Sequence, residues 1–152
     1  AYPNMELIND GAVPTCESEE SIDTAYERAK EVLKANPDLK GFTGVASTDC
    51  PGIAKAVEEL GLAGKVQIVG TSMTSIARQY VEDGTIASFS VWDPADAGKA
   101  MIEMAKAALD GTVEDGMNLD VPGYEKISEQ DGIYYGDARI DVTKDNMDDY
   151  DF

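Results

Sequence analysis

Apolar and polar positions alternate between two periods over the first two-thirds of the chain, and each switch marks a strand giving way to a helix. Met5-Glu6-Leu7-Ile8 reads as a short strand. Ser18 follows as an N-cap, with Glu19 and Glu20 in a first turn where negative charge suits the helix dipole. The capping box is incomplete, because its third position holds Ser21 in place of Glu or Gln. Ile22, Ala25, Tyr26, Ala29, Val32 and Leu33 then fall at helical spacing until Asn36-Pro37 stops the helix. Residues 42–46 form a second strand and a helix runs from about Pro51 to Gly61. Residues 66–70 are apolar as a buried parallel strand should be, and the helix over 74–82 breaks at Asp83-Gly84. Residues 86–91 make the fourth strand, and Asp93-Pro94 opens a fourth helix. Its buried stripe is expected to be Met101, Met104, Ala105, Ala108 and Leu109.

Strand and helix repeated four times predict an α/β fold, a doubly wound parallel sheet of four or more strands flanked by helices, joined by right-handed crossovers. Beyond Gly111 the pattern changes. Residues 113–132 are turn-rich, with short strands expected at 133–135 and 138–142. The acidic end over 145–151 lacks the Gly and terminal Glu of a calcium loop and reads as a solvated face.

In such a sheet ligands sit outside the carboxyl ends of the strands. Four loops are placed there, at residues 9–16, 47–50, 71–73 and 92–93. The phrase Ser47-Thr48-Asp49, between an apolar run and a helix with Pro51 near its start, offers two hydroxyls, one carboxylate and backbone N–H groups. Ligand contact and simple helix capping both fit that phrase. Ser72 adds a hydroxyl. Trp92, the one tryptophan, is either a stacking wall for a sugar-like ring or a core residue. Asp93 is explained as a cap by the proline after it. Cys16 and Cys50 each precede a helix, and a disulfide or two separate thiols both remain open.

The balance of 12 basic against 30 acidic residues, a net charge of −18 in 152 residues, argues against nucleic acid and against an anionic membrane surface. No stretch reaches the roughly 18 consecutive apolar residues of a membrane span. The chain opens on Ala1-Tyr2-Pro3-Asn4 with no Met and no signal peptide, which predicts a processed chain or a piece of a longer one. Histidine is absent, so the commonest general base and metal ligand is missing. With no phosphate loop, dinucleotide fingerprint, nucleophile elbow or zinc set, a binding protein without cofactor or metal is expected rather than an enzyme. A small doubly wound enzyme acting on a phosphosugar is the alternative from another class, and a sensor domain reporting occupancy is the alternative within binding proteins.

At these residues the chain resembles the C-terminal half of a periplasmic sugar-binding protein of the ribose-binding type, nearest the autoinducer-2 and rhamnose receptors of ABC importers. Ala46-Ser47-Thr48-Asp49 is similar to a family loop ending in Asn-Asp, and Val69-Gly70-Thr71-Ser72 to a Val-Gly-Phe-Asp/Ser turn. Val91-Trp92-Asp93-Pro94 with Gly98-Lys99, and the terminus from Asp145 to Phe152, resemble phrases of the autoinducer-2 and rhamnose branch. The resemblance implies a type I periplasmic binding protein, with ligand held between two similar lobes. It implies ligand contacts from Val45, Ser47, Thr48, Asp49, Ser72, Trp92 and Asp93, although Ser72 stands where ribose binders carry an Asp. Residues 1–85 would be the C-terminal ligand-binding lobe, and residues 86–152 a crossover strand, helix and tail that complete the other lobe and hinge. The first lobe is expected to be missing, and the chain's own affinity to be weak. The implied partners are a small sugar or autoinducer-2-like ligand and the membrane subunits of an ABC importer. The implied location is extracytoplasmic, in the periplasm or at the cell surface, a lipid anchor through a missing N-terminus being one arrangement.

Overall fold

The computed structural model describes residues 4–8 and 16–150. Most of the first expected ligand loop, residues 9–15, and the final Asp151 and Phe152 lie outside the described residues. The elements in chain order are α1 (Ile22–Ala35), β1 (Gly41–Gly44), α2 (Asp49–Glu59), β2 (Gln67–Gly70), α3 (Thr74–Glu82), β3 (Phe89–Val91), α4 (Pro94–Asp110), β4 (Ser128–Gln130), β5 (Ile133–Tyr135) and β6 (Ile140–Val142). A single 3-10 turn follows at Met147–Asp149.

β1 and β2 pair in parallel with Gly41 opposite Gln67 and Gly44 opposite Gly70. β3 continues that direction beside β2 through a parallel bridge between Thr71 and Ser90 and a bond from the Ala87 N–H to the Ile68 carbonyl at 3.1 Å. β6 then returns antiparallel along β3, with Phe89 opposite Val142 and Val91 opposite Ile140. The fold is α/β as expected, but the strand beside β3 is this returning one. Residues 5–8 form no ladder: Met5 and Leu7 are exposed and the segment has no strand partner among the described residues, so its apolar pattern is left without the pairing that defines a strand.

The core lies where α1, α2 and α3 cover the three strands. Leu33, Ile53, Val57, Ile68, Val81, Ile86 and Phe89 are buried there in one cluster, joined by Val142 and Met147 from the end of the chain. α1 and α2 approach closely because Gly52 has no side chain; a Cβ there would fall 2.5 Å from the Ile22 carbonyl oxygen and 2.6 Å from the Ala25 Cβ. At the start of α1, Glu19 and Glu20 adopt positive φ of 55° and 53°. The chain therefore turns before Ser21, and Ser21 rather than Ser18 is the N-cap, its hydroxyl accepting from the Thr24 N–H at 3.3 Å.

α4 stands apart. Its packed side meets a second small cluster in which Ala100 and Met104 touch Leu119, Val121 and Ile127. The expected buried stripe is corrected accordingly: Met104 is half-buried, whereas Met101, Ala105, Ala108 and Leu109 are exposed. Both sides of this helix are apolar, and among the described residues only one finds a partner. The hairpin of β4 and β5 is exposed on every residue, and β4 carries no alternation that could have announced it.

Candidate functional site

The parallel pair brings the ends of β1 and β2 to one edge, and the loops that follow are fastened together there. Ser72 is buried, and its hydroxyl donates to the Ser47 carbonyl at 2.8 Å. The Thr71 N–H donates to the Gly44 carbonyl at 3.1 Å. Asp49 folds back over its own loop, one carboxylate oxygen accepting from the N–H groups of Val45 and Ala46, both at 2.9 Å. Capping and candidate contact thus coexist in Asp49, because its second oxygen is buried and has no protein partner. Thr48 is the N-cap of α2 yet makes no side-chain cap bond, and its hydroxyl is likewise buried without a partner. A third orphan is the hydroxyl of Thr74, the first residue of α3, whose N-cap position is held by Met73, a side chain with no capping oxygen. Buried polar atoms are nearly always hydrogen-bonded, so the three unpartnered ones on two adjacent helix starts single these loops out among the described residues.

β3 brings the remaining expected residues to the same edge. Trp92, one residue past its end, is 54% exposed and so is not a core tryptophan. Val45, one residue past the end of β1, is exposed as well. Asp93 caps α4 as its sequence context requires, accepting from Ala95 N–H at 2.7 Å and Asp96 N–H at 3.3 Å. Ser47, Thr48, Asp49 and Ser72 are therefore joined by one hydrogen-bonded loop pair, while Val45 and Trp92 stand out from neighbouring strand ends. Thr74 escaped the sequence reading, because a threonine opening a helix looks like ordinary punctuation.

The two cysteines are free thiols, Cys16 exposed and Cys50 fully buried, and the disulfide reading gives way. Cys50 lies inside α2 under β1, its thiol donating to the Val69 carbonyl at 3.7 Å, which faces it into the sheet rather than toward solvent. Burial first, and the neighbouring Asp49 charge second, push its pKa up to about 11, so it is not a nucleophile at neutral pH. Among the described residues no three His, Cys, Asp or Glu side chains gather to hold a metal ion, and no helix is long and apolar enough to cross a membrane.

A concavity of about 220 Å³ lies elsewhere, between residues 6–8, α1 and β1, and shares only Asp49 with the expected ligand residues. A second, of about 170 Å³, sits where the chain leaves β3 and returns to β6, lined by Asp93, Asp96, Pro122, Asp137 and Arg139. The loop edge itself is an open wall.

Comparison with known proteins bears on what such a wall serves. Residues 1–112 match the model of the periplasmic binding protein domain. The D-allose-binding periplasmic protein of Escherichia coli (strain K12) is 36% identical over 87 residues, 55% of this chain and 28% of that protein. A sugar ABC transporter protein from Actinomyces odontolyticus superposes with a TM-score of 0.73 at 23% identity, over 89% of this chain and 44% of that one. LsrB from Clostridium saccharobutylicum, solved in complex with AI-2, gives 0.66 at 25% identity, over 89% and 47%. A solute-binding protein from Agrobacterium vitis with bound D-fucose gives 0.64 at 25% identity, over 90% and 41%. The chain spans less than half the length of each of these proteins.

Proposed function

Because the chain belongs to the periplasmic binding protein domain family, we propose that it supplies one wall of an interlobe cleft that holds a small hydroxylated ligand for delivery to the membrane subunits of an ABC importer. The observation that carries this reading is the loop edge itself, where Asp49 folds over the Val45 and Ala46 N–H groups, Ser72 ties back to Ser47 beside Thr48, and Val45 and Trp92 stand exposed. A carboxylate oxygen accepts from a ligand hydroxyl, and a threonine hydroxyl both donates and accepts, which together read a diol. The exposed faces of Trp92 and Val45 beside them suit the apolar side of a sugar or autoinducer-2-like ring. A phosphosugar fits badly, because the Asp49 carboxylate already occupies the loop N–H groups that would receive an anion. No bond is made or broken, and the buried, protonated thiol of Cys50 supports that reading.

Residues 1–85 form the ligand-binding lobe in this proposal, and residues 86–152 the crossover strand, helix and tail. What supports the division is that β3 leads out and β6 leads back side by side, while α4 packs on its own cluster. The working location is extracytoplasmic, as the family implies.

Trp92, the sole tryptophan, makes the test direct. Its fluorescence is titrated with D-allose, D-fucose, L-rhamnose and autoinducer-2, the first three beside inorganic phosphate as a control. One wall alone predicts weak binding, with Kd on the order of 1 mM. Asp49→Asn and Thr48→Val are each expected to weaken it about tenfold or more. A response to none of these ligands, or one that both variants leave unchanged, overturns the assignment.

A further inference from the structure

Met73 breaks a local rule at the edge where the candidate ligand loops gather. In the run Thr71-Ser72-Met73-Thr74-Ser75, hydroxyl residues surround a single methionine. That methionine holds the N-cap of α3, where a Ser or Thr oxygen would accept from a first-turn N–H, and no side chain caps the helix. Nor does the side chain gain burial in exchange, since it is 40% exposed. Departures from local rules that bring no structural return are expected at functional sites. Building on the cleft wall proposed above, we propose that Met73 is a specificity-determining residue, placed to hold the apolar edge of a deoxy sugar, one with a methyl group where the parent sugar carries a hydroxymethyl group.

The topology puts this side chain in the middle of the wall. β2 has β1 on one side and β3 on the other. Val45 follows the end of β1, Met73 belongs to the loop after β2, and Trp92 follows the end of β3. Each strand end therefore sends one exposed apolar side chain to the same edge, Val45 being exposed by 81% and Trp92 by 54%. The polar groups of Ser47, Thr48 and Asp49 come from the loop of β1 beside it. The main chain around Met73 is fixed on both sides. Ser72 donates to the Ser47 carbonyl at 2.8 Å, the Thr71 N–H donates to the Gly44 carbonyl at 3.1 Å, and the Met73 carbonyl accepts from the Ala77 N–H at 3.0 Å. On that fixed base the thioether is unbranched and polarizable, able to follow an irregular apolar outline. A hydroxymethyl group set against it loses water from its hydroxyl and gains only a weak acceptor, whereas a methyl group has no hydrogen bond to lose.

Sugar pairs that differ by one oxygen read this directly: L-rhamnose against L-mannose, and D-fucose against D-galactose. In titrations of the full chain followed by Trp92 fluorescence, the deoxy member of at least one pair is expected to bind about three- to fivefold more tightly, the worth of one methyl group taken from water. Met73→Ser is expected to abolish that preference while raising the thermal midpoint by about 2–4 °C, because it supplies the missing cap. The raised midpoint shows that the loss is not one of folding. Met73→Leu, apolar but without the thioether, is expected to keep the preference. Equal binding within both pairs, or a preference that survives Met73→Ser, overturns the proposal and leaves Met73 to a contact with polypeptide, which cannot tell two sugars apart. A response to none of the four sugars overturns the cleft reading and this one with it, whereas binding without the preference overturns this one alone.

Discussion

Gly70 lies against Gly44 so closely that a Cβ at Gly70 would fall 2.2 Å from the Gly44 carbonyl oxygen and 2.5 Å from its nitrogen. Gly70 also adopts a φ of 151°, which side chains rarely tolerate. The two residues close the ends of β1 and β2, and the loops bearing Ser47, Thr48 and Ser72 start from them. Gly70→Ala meets both obstacles at once and is expected to cost about 3 kcal/mol or more. Gly98→Ala is the matched contrast: it lies inside α4 with nothing within 4 Å of the added Cβ, and should stabilise by about 0.5–1 kcal/mol. Urea unfolding of both variants checks the opposite signs.

The orphan at Thr48 predicts a trade between stability and binding. Thr48→Val removes a buried hydroxyl that has no protein partner, and should raise stability by about 1 kcal/mol while weakening ligand binding. Ser72→Ala works the other way. It deletes the bond to the Ser47 carbonyl from a buried position and should lower stability by about 1–2 kcal/mol. Thermal melts with and without ligand separate the two.

Acid should weaken the packing of α1 on α2 through Glu59. Its carboxylate accepts from Lys30 at 2.8 Å and from the Tyr26 hydroxyl, and these bonds, Lys30 first, hold its pKa below the ordinary glutamate range. The cation of Lys30 is stabilised in turn, with its pKa raised by the same bonds. A depressed carboxylate contributes stability above its unfolded pKa and loses it as pH falls through the folded one. Asp141, held low by Arg139 and then by Ser90, acts in the same direction on the β3–β6 pair. Urea midpoints measured from pH 7 to pH 3 should fall, and the gap between the parent chain and Glu59→Gln should narrow over that window.

Thiol chemistry should distinguish the cysteines sharply. One equivalent of a thiol reagent is expected to react with the native chain, at the exposed Cys16, and two after denaturation. Cys50 is withheld both by burial and by a pKa pushed up to about 11.

The parts of this fold legible in the sequence are those decided locally. Asp93-Pro94 fixed the start of α4 and Asp83-Gly84 the end of α3, since capping and backbone breaks involve near neighbours only. The edge carrying Ser47, Asp49 and Ser72 followed from strand–loop–helix order alone. What escaped depends on distant partners. The 3.6-residue period draws a stripe through Met101 and Leu109 but cannot say which apolar side of α4 meets Leu119 and Ile127. Met5 to Ile8 has strand propensity without a ladder. Ser18 and Ser21 are equivalent caps until the left-handed turn at Glu19 and Glu20 chooses between them.

The register of β3 with β6 gives residues 92–139 the status of an insert. Val91 and Ile140 stand opposite each other as the last pair of an antiparallel ladder, the geometry from which a two-residue turn could spring. None of the residues buried in the main core comes from the stretch between them. The main core is therefore packed without that excursion, even though the excursion opens on Trp92 and Asp93, two of the proposed ligand contacts.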